Sequence, residues 1–430
     1  MPPPADVAVV AMPADSSDRP LTSNSASRPA LVVGLLAIAV FINYVDRGAL
    51  PAAAHLVQAE LSLSEAQLGW LFSAFFWTYA LAQIPIGWLA ERFGAQRLLA
   101  AGLSLWALAT LLVGLAHSFP MLLILRLLLG LGESTAFPCV SKLLPAVVPV
   151  RKLGTANGIV ACGYLFGPAV GAYAGGLIMA SHGWRAAFLL FGGVSLLWLL
   201  PWSRLTLPVA EQRASADSPT LTALLRQPAL WGTALGLFCA NYIFFFMLSW
   251  LPYYLVRERG FTTVEMGELA GTAYVINAVS AVSAGWATDR LIGAGFSANV
   301  VYKSIMAIAH LGSVACMVCM ALGAKPLAMT ALFAYQVLCG GSSPGLYAVP
   351  QILAGARAAG RWVGIQNSIG SMAGIVAPAA TGLIVTSTGH FTAAFLLAAG
   401  VGLVGLVGWL GMLPPLAELD WSARRPMQPG

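Results

Sequence analysis

Long apolar runs separated by short polar gaps dominate the chain. Each run is close to the ~20 residues that an α-helix needs to cross a bilayer. Charged residues are rare inside the runs and concentrate in the gaps. The pattern predicts an all-α integral membrane protein with twelve transmembrane helices, centred in residues 30–54, 65–90, 97–117, 119–144, 153–180, 184–203, 228–256, 265–289, 299–322, 326–353, 361–387 and 390–413.

The longest polar interruption divides the predicted spans into two groups of six. A weak internal repeat supports this division, because Gly87-Trp88-Leu89-Ala90-Glu91-Arg92 and Gly285-Trp286-Ala287-Thr288-Asp289-Arg290 each close the second span of a group. Two similar halves that hold substrate between them are a common plan of transporters. We expect a disordered cytoplasmic tail, a six-helix bundle, a cytoplasmic loop, a second six-helix bundle and a cytoplasmic tail, with bounds 1–28, 29–203, 204–227, 228–414 and 415–430.

The composition excludes a single water-soluble core. Hydrophobic residues make up 59% of the 430 positions and charged residues only 9%, whereas soluble domains average about 25% charged residues. Residues 1–28 lack the basic start and apolar core of a signal peptide, so the first run is expected to be a retained span.

Basic residues predict the orientation of the chain. Four of the 22 lie on one side of the predicted spans (Arg185, Arg257, Arg259 and Lys325), two lie inside spans, and the other sixteen lie on the side of the termini. Such a bias predicts that both termini lie in the cytoplasm. We expect a multi-pass protein of the cell inner (plasma) membrane. The net charge of +6 therefore reflects topology and contact with lipid, and we expect no nucleic acid partner.

Four ionisable side chains occupy apolar runs: Asp46 and Arg47 in the first, Arg126 and Glu133 in the fourth. A charge near the bilayer centre costs at least ~2.5–3.5 kcal/mol, so such residues usually serve a function. Arg126 and Glu133 are two helical turns apart and share a face, while Asp46 and Arg47 diverge by ~100°. Arginine can grip a carboxylate, and a carboxylic acid withdrawn from water can cycle between its protonated and charged forms. The alternative is two structural ion pairs, Asp46 with Arg126 or Glu133 with Arg47.

The stretch Gly87-x-Leu89-Ala90-Glu91-Arg92-Phe93-Gly94-Ala95-Gln96-Arg97 resembles the loop signature of the major facilitator superfamily. Gly94 can take the positive φ of a tight reversal. The acid, which is usually Asp in that family, is Glu91 here. The resemblance implies a cytoplasmic gate that closes when the outside is open, formed by Glu91, Arg92, Gly94, Arg97, Asp289 and Arg290.

Further motifs resemble the anion:cation symporter family within that superfamily. They are Asn43-Tyr44-x-Asp46-Arg47, Ser73-Ala74-Phe75-Phe76-Trp77-x-Tyr79-Ala80-x-x-Gln83-Ile84-Pro85, Leu125-Arg126-x-Leu128-Leu129-Gly130-x-Gly132-Glu133 and Ser249-Trp250-Leu251-Pro252. The resemblance implies that Asp46 and Glu133 couple transport to protons and that Arg47 and Arg126 act on the substrate or the gate. Tyr164 departs from the amide of galactonate-type members, which weakens a galactonate assignment.

Uncharged polar residues are the remaining substrate-binding candidates. In the first half these are Tyr44, Tyr79, Gln83 and Tyr164. In the second half they are Asn241, Tyr242, Trp250, Tyr347, Gln351, Gln366, Asn367 and Ser371, of which Asn367 is preferred because it opens a glycine-rich helix. Each of these can instead satisfy a helix–helix hydrogen bond.

Together these features predict a monomeric secondary transporter that takes up a small organic anion, a sugar acid such as a hexuronate or aldonate, with protons as the coupling ion. No catalytic or metal-binding motif is evident in the sequence, so we expect neither an enzyme nor a cofactor. One alternative is a proton-coupled multidrug or metabolite antiporter, because Gly163-x-x-x-Gly167-Pro168 resembles a motif of proton-coupled drug antiporters. Another is a membrane nutrient sensor that does not transport.

Overall fold

The protein is built from helices of widely different length. The computed structural model describes residues 27–148, 153–205, 207, 219–419 and 421; most of the predicted tails and the centre of the predicted loop 204–227 lie outside these residues. The helices are α1 (Ser27–Leu61), α2 (Glu65–Phe93), α3 (Ala95–Val113), α4 (Phe119–Glu133), α5 (Ala136–Val147), α6 (Leu153–Leu197), α7 (Leu199–Ser203), α8 (Leu221–Leu225), α9 (Pro228–Arg257), α10 (Thr263–Gly293), α11 (Ala298–Leu322), α12 (Lys325–Thr388) and α13 (Thr392–Leu406), followed by a π-helical turn, Val407–Gly411.

Eight stretches of the described helices are long and apolar enough to cross a bilayer. One of them, Ala156–Ser203, contains two predicted spans. The helices α2 and α10 and the first part of α12 supply the other predicted spans, so each of the twelve falls on a helical arm. Among the described residues the secondary structure is helical, with no strand.

Two pairs of predicted spans are joined without a separate loop. In α6 the chain reverses at Gly183, whose φ is +80°, and in α12 it reverses at Gly355, whose φ is +65°. Only glycine adopts such angles without strain, so one residue replaces a loop. The predicted span 119–144 is instead interrupted between α4 and α5, where the hydroxyls of Ser134 and Thr135 donate to the carbonyls of Leu131 and Gly132. Such bonds compete with those of a continuous helix.

The two halves meet closely near one end of the bundle, which we call the closed face. A Cβ atom at Gly69 of α2 would lie 2.7 Å from the carbonyl oxygen of Pro378, and one at Gly176 of α6 would lie 2.9 Å from the Cα atom of Gly267. Glycines let the backbones approach this closely. Two hydrogen bonds add to the closure: His55 Nε2 lies 3.0 Å from Thr263 Oγ1, and the backbone N–H of Ala66 donates to Thr386 Oγ1 at 2.8 Å.

Toward the opposite end, called the open face, side chains that lie between the halves are exposed. Tyr164 of α6 is 36% exposed and Tyr347 of α12 is 43% exposed. The two residues come from different halves and lie near enough to interact electrostatically. A small cavity lies between the halves, with Arg47 and Ser249 in its lining, and the halves pack less closely toward the open face than at the closed face.

Candidate functional site

A buried ion pair joins α1 to α4 beside this cavity. Arg47 Nε donates to Glu133 Oε2 at 2.7 Å, and the two side chains are 6% and 0% exposed. Glu133 is the last residue of α4, immediately before the interruption. This is one of the two ion pairs that the sequence left open. A counter-charge is required here because an unpaired charge inside a bundle is costly.

Aromatic rings enclose the remaining surface of Arg47. Its guanidinium carbon lies 4.6 Å from the ring centre of Tyr44, 5.0 Å from that of Phe75 and 4.5 Å from that of Tyr79. The atom Nη2 has no hydrogen-bond partner among the described residues. Arg47 therefore combines an occupied donor, which faces Glu133, with a donor that is available to an added anion.

Asp46 points away from its neighbour, as adjacent positions on a helix require. It is 2% exposed and lies near Thr110 of α3, inside the first half. Neither carboxyl oxygen has a hydrogen-bond partner of good geometry in the described structure. The alternative ion pair of Asp46 with Arg126 is not formed among these residues. Asp46 is a buried acid that interacts with Glu133 and Arg126 electrostatically, beyond ion-pair distance.

Arg126 lies on the same side of the site as Arg47 and shares an aromatic neighbour with it. Its Nε donates to the carbonyl of Leu71 at 3.2 Å, and its guanidinium carbon lies 5.2 Å from the ring centre of Phe75. Both arginines line a small cavity between the halves with Pro51, Phe72, Phe75, Phe76, Leu248 and Ser249. The motif that contains Phe75 was noted in the sequence, but the role of its ring between two cations was not predicted.

Of the other predicted residues in the first half, Tyr44, Tyr79 and Tyr164 gather around Arg47. The ring centres of Tyr44 and Tyr164 are 5.9 Å apart. The glycine motif of α6 makes this possible, because a Cβ atom at Gly167 would lie 2.6 Å from Cβ of Tyr44. Close packing on α1 thus accounts for the motif that resembles antiporters. Gln83 is half-buried on α2, one turn beyond Tyr79.

Two of the second-half candidates form helix–helix hydrogen bonds, which is the alternative that the sequence left open. Asn241 Nδ2 donates to the carbonyl of Gly370, and Gln366 Nε2 donates to that of Leu346, so both serve helix packing. Asn367, the preferred candidate, is half-buried on α12. Tyr347 is the residue of this half that interacts electrostatically with Tyr44, Tyr79 and Tyr164. Tyr347 was among the candidates, but a lone tyrosine in an apolar run gives no reason to prefer it over the other polar residues.

The predicted gate residues lie at the open face. Gly94 has a φ of +84° and links α2 directly to α3. Arg92, Arg97, Asp289 and Arg290 are exposed, and the last packs 4.2 Å from the ring of Trp286. The side chain of Glu91 lies outside the described structure. These residues occupy the end of α2, the start of α3 and the end of α10.

A bundle of membrane-spanning helices with a charged cavity between two halves is the architecture of a membrane transporter. The family model of the major facilitator superfamily matches residues 36–378. The chain belongs to that superfamily, and its fold is the all-α membrane fold that the sequence predicted.

Two of its relatives are named as transporters of sugar acids, so the chain is a transporter rather than an enzyme. The chain is 31% identical to the hexuronate transporter of Bacillus subtilis, covering 90% of this chain and 94% of the relative. It is 28% identical to a D-galactonate transporter of Escherichia coli, with coverage of 88% and 94%. A bacterial homologue of the human lysosomal transporter Spinster, in an inward-facing and occupied conformation, has the same fold: its TM-score is 0.73 at 18% identity, with coverage of 89% and 94%.

Proposed function

We propose that the chain is a secondary active transporter that couples proton entry to uptake of a small organic anion, a sugar acid such as a hexuronate or aldonate. The observation that carries this proposal is the buried pair of Arg47 and Glu133 at the wall of the cavity. An acid that binds a proton and a cation that binds an anion are here joined by a hydrogen bond. Proton binding and anion binding therefore act on the same pair.

The coupling follows from competition for Arg47. When Glu133 is charged, it satisfies Nε of Arg47 and offsets its charge. When Glu133 takes a proton, the pair loses its charge attraction, and a substrate carboxylate replaces Glu133 as the counter-ion. Asp46 is proposed as a second proton site behind the cavity. Arg126 keeps the outer part of the cavity positive.

Alternating access then requires only that the two halves rock about this site. We assign the open face to the cytoplasm, because the predicted cytoplasmic loops carry most of the basic residues. Both termini then lie in the cytoplasm and the membrane is the bacterial inner membrane. In the outward-open state the gate residues around Gly94 and Asp289 come together, while the closed face separates.

The substrate class rests on the relatives. The hexuronate and D-galactonate transporters match nearly the whole chain, and a carboxylate is the group that Arg47 can grip. The tyrosines around Arg47 offer hydroxyl groups for a polyhydroxylated anion. No cofactor is proposed, and the fold is proposed to work as a monomer.

Reconstituted protein in liposomes tests the coupling. Wild-type protein is expected to concentrate labelled glucuronate against its gradient when the external pH is lower than the internal pH. Glu133→Gln is expected to lose this uphill uptake and to keep exchange of internal for external substrate, because the amide oxygen still accepts a hydrogen bond from Arg47. Uphill uptake by Glu133→Gln would contradict the assignment of Glu133. Proton-driven efflux of lipophilic cations instead of anion uptake would favour the antiporter.

A further inference from the structure

One wall of the cavity is a continuous aromatic surface. The ring centres of Tyr44 and Phe137 are 6.4 Å apart, those of Tyr44 and Tyr164 are 5.9 Å apart, and those of Phe137 and Tyr164 are 6.5 Å apart. The three rings come from α1, α5 and α6. Backbone packing holds them in place, since Gly167 lies against Cβ of Tyr44. We call these three residues the aromatic wall.

Tyr347 faces this wall from the other half. It lies within electrostatic range of Tyr164 and Tyr79, and it is somewhat more exposed than Tyr164. Both rings are exposed although protein atoms surround them on most sides, so we infer that their exposed surface lies in the space between the halves. Arg47 closes one end of the same space, because its guanidinium group packs on Tyr44. A bound carboxylate at Arg47 therefore places the rest of the anion between Tyr164 and Tyr347.

Such a space suits a ring better than an extended chain. A pyranose ring has flat patches of C–H groups that pack on aromatic faces, and its hydroxyls lie at the rim, where tyrosine hydroxyls can reach them. An open-chain polyol presents hydroxyls along its whole length, and those pressed against aromatic faces lose their hydrogen bonds to water without replacement.

Resting on the proposed function, we propose that the site selects sugar acids in their ring form, pyranose hexuronates, over open-chain aldonates and aldarates, with Tyr164 and Tyr347 on the two faces of the ring. Tyr164 and Tyr347 are then residues that determine specificity, whereas Arg47 binds the carboxylate that both kinds of acid share.

Glucuronate and gluconate form a matched pair for the test, because both are six-carbon monoanions and only glucuronate is mainly a pyranose ring. Calorimetric titration of purified protein is expected to show glucuronate binding at least ~10-fold more tightly, which corresponds to about 1.4 kcal/mol. Tyr164→Gln, which removes the ring and supplies an amide, is expected to reduce the preference below ~3-fold.

The conservative variants separate stacking from structural damage. Tyr164→Phe and Tyr347→Phe keep the rings and are expected to keep the preference, while Tyr347→Leu is expected to lose it. Equal affinities for the two acids in the wild type, or tighter binding of gluconate, would overturn this inference and leave the proposed transport function in place. Binding of neither acid would overturn the sugar-acid assignment itself, and with it this inference.

Discussion

The hydroxyl of Tyr253 in the second half donates a hydrogen bond to Gln58 Oε1 in the first half at 2.6 Å. The same hydroxyl lies 3.2 Å from Glu65 Oε1. Gln58 lies in the last turn of α1 and Glu65 is the first residue of α2, so one phenol hydroxyl connects the second half to two helices of the first. This contact belongs to the closed face, which in the proposed transport cycle separates when substrate enters.

Tyr253→Phe removes this contact and is therefore expected to favour the outward-open state, in which the two halves separate at the closed face. The loss of one such hydrogen bond, about 1 kcal/mol, changes the ratio of two states roughly five-fold. The measurement is the rate at which a membrane-impermeant thiol reagent modifies Ser249→Cys, in a background without the native cysteines, because Ser249 lines the cavity beside Arg47. Tyr254→Phe is the matched control, since that hydroxyl donates to the Met320 carbonyl within its own half. A similar rate increase in both variants would speak against the inter-half bond.

A second prediction concerns the glycine contact at the same face. A Cβ atom at Gly382 of α12 would lie 2.6 Å from the carbonyl oxygen of Glu65. Gly382→Ala must push the halves apart there, at a cost of about 1–3 kcal/mol for an overpacked contact. We expect uptake to fall about ten-fold and labelling of Ser249→Cys to rise. Gly364→Ala is the control on the same helix, because nothing lies within 4 Å of its added methyl group. Unchanged uptake by Gly382→Ala would show that the halves do not need this approach.

The sequence predicted the spans and the four membrane charges, because hydrophobic runs and isolated charges are strong local signals. It also indicated Gly94 as a reversal, since that angle favours glycine. The partner of Glu133 could not be chosen from the sequence: helical spacing orients a side chain relative to its own helix only. For the same reason the sequence could not show that Tyr347, among the second-half candidates, comes near the tyrosines of the first half, because the packing between the halves decides this.

The contacts of the closed face were missed for a related reason. Tyr253, Gln58 and Gly382 are ordinary residues of apolar helices, and their roles arise only when two distant segments meet. The reversals at Gly183 and Gly355 were also missed as single-residue turns. Glycine is frequent in this chain, with 45 copies, so no local pattern marks the two that reverse the chain.

A third prediction concerns the C-terminal segment, which caps the reversal at Gly355. The backbone N–H of Leu419 donates to the carbonyl of Leu353 at 3.0 Å, and Trp421 Nε1 donates to that of Ala354 at 2.9 Å. These carbonyls come just before the reversal, where the helix no longer supplies backbone N–H donors to its last carbonyl groups. A chain that ends after Pro415 is expected to melt at a lower temperature, by the loss of about 1–2 kcal/mol, with anion affinity retained. A chain that ends after Trp421 keeps both bonds and is expected to melt like the wild type; equal melting of both truncations would exclude the capping role.

The last prediction separates the two buried acids through the pH dependence of anion binding. Glu133 competes for Arg47 only when it is charged, so wild-type affinity is expected to be highest at low pH and to fall as rising pH removes the proton from Glu133. Glu133→Gln cannot acquire the charge, and its affinity is expected to stay nearly constant over the same pH series. Asp46→Asn is expected to keep the fall of affinity with rising pH, because Asp46 turns toward Thr110 and makes no hydrogen bond to Arg47 among the described residues; its charge interacts with that of Glu133, so only the pH at which the fall occurs is expected to change.

Calorimetric titrations of the three proteins with one anion across the pH series decide between these outcomes. Arg47→Lys provides a further control, because it retains the charge but loses the planar group that packs between Tyr44 and Tyr79. Its affinity is expected to be weaker at every pH, with the same downward trend. If Asp46→Asn rather than Glu133→Gln removed the pH dependence, the competition for Arg47 would have to be abandoned, and proton coupling would have to run through the interior of the first half.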